Sequence, residues 1–247
     1  HSLQRIYDLY LTDICTLREL HSVAAERIET SLKKLQPTAE DLNPNMAFVE
    51  NRVFLLLKQN VRLNALVSEK GISWSEYHDQ FKKLFTKIRE DDQYLRYMSL
   101  PNRTFAEEKK IVKYIYATYI CENEFLHQYY EDEYIHWADD LDAAQMMTTK
   151  TLKTMKQTSD AYHPLVKLFK DKDDEDFGPT LFRKVVNHND EYERLISERT
   201  KNWEADRIAI IDNLLMKMAI AEFMEFQEIP IKVTLNEYIE LSKQYST

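Results

Sequence analysis

Two stretches carry residue types at a spacing that could do chemistry: Glu124-Phe-Leu-His127 and Glu133-Tyr-Ile-His136. Glu-x-x-His sets a carboxylate and an imidazole on one helix face. Di-iron carboxylate proteins use one such pair on each of two helices, with a further Glu from each of two others. Here the pairs begin at 124 and 133, on one predicted helix and its end. Two pairs on a single helix cannot face each other across a metal pair. The stretch therefore reads as an acidic, solvated helix with surface histidines, and no catalytic or metal-ligating residue is assigned. A helical di-iron metalloenzyme stands as an alternative reading resting on these pairs alone.

Other chemistries find less support. A phosphate cradle needs closely spaced glycines or a Gly-Lys-Ser/Thr run, and the only glycines are Gly71 and Gly178. No Gly-x-Ser-x-Gly elbow is present, and Cys15 lies in no activating context. Cys15 and Cys121, far apart and in helical surroundings, read as reduced buried thiols. No cofactor is called for. A formal net charge of −9 argues against a surface coated in positive charge. Basic residues do cluster locally: Lys82, Lys83, Lys87 and Arg89; Lys109, Lys110 and Lys113; Lys150, Lys153 and Lys156; and Arg194, Arg199, Lys201 and Arg207 about Trp203. Taken singly each reads as helix surface, because phosphate binding needs cations that converge in space. The tyrosines between Tyr114 and Tyr134 read as core and subcore packing rather than as a stacking platform for bases.

The elements that must hold these residues are helices. Two glycines and six prolines in 247 residues leave little turn material for sheets, and 30% charged residues beside abundant Leu, Ile, Met and Tyr suit amphipathic helices. Leu3, Ile6, Tyr7, Tyr10, Ile14, Leu17 and Ala24 form a stripe at helical spacing over residues 3–35. Further helices are expected at about 46–69, ended by Gly71; at 74–98, opened by a capping box Ser73-Trp-Ser-Glu76; and at 105–134, opened by Thr104-Phe-Ala-Glu107. Others follow at 139–155, a short turn at 165–169, two at 180–202, one at 206–226 and a last one to 244, opened by Thr234-Leu-Asn-Glu237. The acidic run Asp171–Asp176 reads as a solvated loop and helix start. The helix at 206–226 is apolar nearly all round and is expected to be buried on most of its surface. With no signal-peptide pattern and no 18-residue apolar run, a soluble cytoplasmic protein that does not span a membrane is the expectation.

One region resembles a known family. Trp203-Glu-Ala-Asp-Arg-Ile-Ala-Ile-Ile-Asp212, Met218-Ala-Ile-Ala-Glu222, Ile229-Pro-Ile-Lys-Val-Thr-Leu-Asn-Glu237 and Glu240-Leu-Ser-Lys243 are similar, in order and spacing, to the transcription antitermination factor NusB. The resemblance is strongest over residues 177–247. It implies an all-α fold of small helical bundles, a NusB-like helical domain over 101–247 and an N-terminal helical extension over 1–100. It implies no enzyme but a factor that binds boxA RNA together with the ribosomal protein NusE in a transcription elongation complex. Carried across, Asp212 and Asp206 match acidic positions facing NusE. Asn236 and Glu237 match residues that start the last helix, and Lys243, with Lys201, lies on the RNA side. Against the family pattern the chain reads as cut short at both ends. It begins Ser2-Leu-Gln-Arg5 where the family has an Arg-rich helix, and ends at Thr247 before a Phe-x-Asn-Gly motif. A helical protein-interaction module of unknown partner is the remaining alternative.

Overall fold

The structure, a computed structural model, describes residues 2–134, 137–199 and 209–245. Among these residues every regular element is helical, as the composition predicts. The chain divides into two compact units, His1–Leu168 and Phe169–Thr247.

The first unit contains α1 (Ser2–Leu32), α2 (Ala39–Leu42), α3 (Arg52–Gln59), α4 (Val61–Lys70), α5 (His78–Arg89), α6 (Asp92–Ser99), α7 (Phe105–Ile115), α8 (Glu124–Glu133) and α9 (Trp137–Thr154). α1 is its axis and packs on α9, α5 and α3. Tyr10, Ile14, Leu17 and Ala24 of the predicted stripe are buried, and so are Leu9, Leu11, Thr12 and Asp13 between them. A helix covered on several sides must bury polar residues too, and each then needs a partner. Asp13 accepts hydrogen bonds from the Tyr116 hydroxyl at 2.5 Å, the Thr148 hydroxyl at 2.6 Å and the Tyr130 hydroxyl at 3.3 Å. Burial pushes its carboxyl up to about 6 against the pull of those three donors. The expected boundary near residue 100 falls within this one core. Tyr97 Oη donates to the Ala47 carbonyl at 2.9 Å, and Asn51 Nδ2 donates to the Glu108 carbonyl at 3.0 Å.

Three predicted helices are each broken in two, and every break carries an Asn or Asp side chain that caps the next helix. Asn60 Oδ1 accepts from Leu63 N at 2.8 Å between α3 and α4. Asp91 accepts from Gln93 and Tyr94 between α5 and α6, and Asn123 from Phe125 ahead of α8. Short polar side chains offer the backbone amides a partner outside the helix, which ends one helix and starts another while the apolar spacing runs on. Ahead of Asn123, residues Tyr116–Ile120 form a π-helical turn. The capping box at Thr104 is present, with Glu107 N bonded to the Thr104 hydroxyl and the Glu107 carboxylate accepting from Thr104 N at 2.7 Å. That at Ser73 is absent: Ser73 Oγ accepts from Ser75 N at 3.2 Å, a 3-10 turn covers Ser75–Tyr77, and α5 starts only at His78. Gly71 ends α4 with φ of 66°, a left-handed conformation that a side chain resists.

The second unit contains α10 (Lys172–Asn187), α11 (Asn189–Arg199), α12 (Ile210–Glu225) and α13 (Ile231–Tyr245) around Leu181, Val185, Tyr192 and Ala221. α10 starts eight residues before the predicted 180, because Asp171 caps it by accepting from Asp174 N at 3.0 Å. Asp173, Asp174 and Glu175 then stand at the positive end of the helix dipole. The predicted turn at 165–169 is not helical.

Candidate functional site

The site is built on α12 and α13. Residues 226–230 join them, and the Pro230 carbonyl accepts from Val233 N at 2.8 Å and Thr234 N at 3.3 Å, so α13 begins at Ile231. Thr234 is therefore inside the helix and is not its cap, and Asn236 and Glu237 lie in its second turn. Thr234 Oγ1 donates instead to Glu222 Oε1 at 2.7 Å, and Tyr238 Oη donates to Glu222 Oε2 at 3.0 Å. Thr234 and Tyr238 are four apart, one above the other on the same face of α13. Glu222 is buried on α12 and has both carboxylate oxygens occupied by this pair. Burial, then the Glu222 charge, pushes the Tyr238 phenol well up from its ordinary value.

Glu222 is near the end of α12 and Thr234 near the start of α13, so α13 runs back along α12. Asp212 in the first turn of α12 and Lys243 in the last turn of α13 thus belong to the same, open end of the hairpin. Lys243 extends into solvent, its ammonium 2.6 Å from Glu240 Oε1 one turn earlier. Asp212 is half-buried, and its carboxylate makes no hydrogen bond or ion pair among the described residues. Its neighbours face α11: Asn213 Nδ2 donates to Glu193 at 3.2 Å, and Lys217 reaches Glu193 at 2.5 Å and Asn189 Oδ1 at 2.8 Å. Lys201 and Asp206, the other two predicted contact residues, lie outside the described residues.

α12 is less buried than its apolar sequence predicts. α10, α11 and α13 pack on it, yet only Ala221 and Glu222 are buried, while Ile210, Ile211, Leu214 and Met224 are exposed. A further apolar groove of about 630 Å³ runs between Phe177 and Phe182 of α10, Leu214 and Met218 of α12, and Val233 of α13.

The Glu-x-x-His stretch is occupied differently from a metal site. Glu124 opens α8, and His127 Nε2 hydrogen-bonds the Cys121 carbonyl at 2.7 Å, with its ring 5.4 Å from that of Trp137. His136 lies outside the described residues.

Comparison with known proteins decides the family. The NusB family model matches residues 138–247. The transcription antitermination protein NusB of Salinibacter ruber (strain DSM 13855 / M31) is 39% identical over 110 residues, 42% of this chain and 69% of that protein. The chain belongs to the NusB family. The transcription antitermination protein NusB of Chloroherpeton thalassium (strain ATCC 35110 / GB-78) is 40% identical over 72 residues, 29% of this chain and 34% of that protein. No solved structure matches the chain at a significant level. NusB membership supports a role in transcription antitermination. The NusB match begins upstream of the 177–247 stretch and takes in nearly all of α9 as well as α10 to α13. No helix among the described residues is long and apolar enough to cross a membrane.

Sequence reasoning overlooked the part Glu222 plays. The signal was available: an acid on an apolar helix, followed by a Thr and a Tyr four apart on the next.

Proposed function

We propose that the chain acts in transcription antitermination by binding boxA-type RNA together with the ribosomal protein NusE in a transcription elongation complex, in the cytoplasm and without catalysing a reaction. The partner face is the open end of the α12–α13 hairpin, with Asp212 and Asp206 toward NusE and Lys243 and Lys201 toward RNA. One observation supports this reading: Asp212 is a half-buried carboxylate with no partner among the described residues, flanked by exposed Ile210 and Ile211. An unpaired acid bordered by exposed apolar side chains suits a protein surface bringing a cation and apolar groups, as interface cores do. Lys243, on a solvated helix end, suits a phosphate.

The test is equilibrium binding of the full chain to labelled boxA RNA, with and without NusE. Asp212→Lys weakens NusE binding at least tenfold while circular dichroism stays unchanged, and Lys243→Glu lowers RNA affinity and flattens its salt dependence. Unchanged NusE affinity in Asp212→Lys would remove the acid face from the reading. RNA affinity insensitive to salt would remove the phosphate contacts.

A further inference from the structure

The basic cluster on α5 gains in three dimensions what one helix cannot supply, a second cation from elsewhere in the chain. α1 and α5 pack together, and Arg27 of α1 and Arg89 of α5 both line a cavity of about 550 Å³ in the first unit. Neither guanidinium makes an ion pair or hydrogen bond among the described residues. Arg27 is exposed overall and Arg89 half-buried, and partial desolvation in the cavity, then the Arg89 charge, hold Arg27 below the ordinary arginine value. Asp41 is on the same wall, but Lys34 Nζ takes its carboxylate at 2.7 and 3.0 Å and the Thr38 cap takes it from the other side. At Arg27, Asp41 therefore offsets less than Arg89 adds.

Two like charges facing one partly enclosed space are relieved by an anion that both can reach. Guanidinium forks match the oxygens of phosphate, and two of them give a geometry that a single surface arginine lacks. Tyr94 adds a third donor: it is buried on the same wall, and its hydroxyl has no hydrogen-bond partner among the described residues. Ser31, Asn43 and Asn45 add polar groups to the lining, and Phe48, Phe85 and Met98 give it an apolar, aromatic side. The space exceeds what an inorganic anion fills and falls within the range of small-molecule sites, roughly 300–1,000 Å³.

We propose that this cavity binds a phosphate-bearing ligand of nucleotide size, with Arg27 and Arg89 on the phosphate, the Tyr94 hydroxyl as a further donor, and the Phe85 side of the cavity against the organic part. The site lies outside the segment matched by the NusB family and does not rest on the antitermination reading. The phosphate can belong to a free nucleotide or to a nucleotide of an RNA strand, and the two share the same chemistry.

The experiment is calorimetric titration of the full chain with each of the four ribonucleoside 5′-monophosphates, the parent nucleosides, and a short single-stranded RNA oligonucleotide. At least one phosphate-bearing probe binds, and a bound monophosphate exceeds its nucleoside at least tenfold. Arg27→Gln and Arg89→Gln each lower that affinity tenfold or more with unchanged melting temperature, and Arg89→Lys recovers it only in part. Monophosphate binding assigns the site to free nucleotides; binding of the oligonucleotide alone assigns it to an RNA strand. No binding of any phosphate-bearing probe, nucleosides binding as well as monophosphates, or full affinity in the Arg27→Gln, Arg89→Gln double variant overturns the proposal. Asp212→Lys, in the other unit, leaves binding at this cavity unchanged, so failure here and failure of the antitermination reading are separable.

Discussion

The two units bury their residues in opposite ways. In the first, the middle of α1 is enclosed so completely that Asp13 and Thr16 lie at 0% exposure, and both find hydrogen-bond partners inside. In the second, the most apolar helix of the chain, α12, leaves Ile210 86% exposed, and α13 leaves Ile231 64% exposed. A core that encloses apolar and polar groups alike, as around α1, is built for stability, although Leu35 and Met146 of the same unit are exposed. A unit that leaves apolar side chains uncovered beside an acid unpaired among the described residues has surface to offer a partner. The contrast accords with the proposal that the second unit carries the recognition surface and the first serves as scaffold.

This contrast can be broken or sharpened by mutation. The largest effect is expected from Phe54→Ala, which empties a side chain 1% exposed in the first core and should cost about 3–5 kcal/mol in urea unfolding followed by the fluorescence of buried Trp74. A cost below 1 kcal/mol would mean that the first unit is not the tightly packed one. Next is Asp13→Asn. The folded-state carboxyl is raised to about 6 from 3.8, so the folded state holds its proton more tightly than the unfolded chain. The associated stability is complete below the unfolded carboxylate range and is lost as pH rises through about 6. The variant should remove that decline, amounting to about 2 kcal/mol between pH 4 and 7, in paired unfolding curves. Parallel pH curves for the two proteins would show that Asp13 does not titrate in this window.

Glu222→Ala should cost roughly 1–3 kcal/mol, because it strands the Thr234 and Tyr238 hydroxyls. Hydrogen exchange should quicken in α12 and α13 while α1 stays protected; equal quickening in α1 would dissolve the distinction between the units. The smallest effect is expected from Lys243→Gln, whose exposed pair with Glu240 contributes at most about 0.5 kcal/mol. Its melting temperature should hold while RNA affinity falls, and a large loss of stability would reassign Lys243 to the fold.

How far the sequence carries varies with the reach of each rule. The Tyr10–Ile14–Leu17 stripe, the Thr104 box and Gly71 are legible because each depends on residues within about one helical turn. The breaks at Asn60, Asp91 and Asn123 are hidden because apolar spacing continues across them and the same side chains are tolerated on a helix surface. The Thr234 box misleads for a related reason. Its Ser/Thr-x-x-Glu pattern fits a helix start, but the hydroxyl has a stronger acceptor in Glu222, twelve residues away in sequence and adjacent only once the hairpin closes. Of the candidate site, Asp212 and Lys243 are legible through the family pattern, whereas their common end of the hairpin depends on the way α13 folds back.

By itself the sequence determined the all-helical character, the first-order helix positions and, through its last seventy residues, the NusB family. These follow from local propensity, periodicity and residue order. Only the tertiary structure decided that Asp13 loses its water, that Glu222 clasps Thr234 and Tyr238, and that Arg27 and Arg89 share a cavity. Each depends on groups brought together from different helices, and the burial and electrostatics that set their chemistry exist only after those helices have packed.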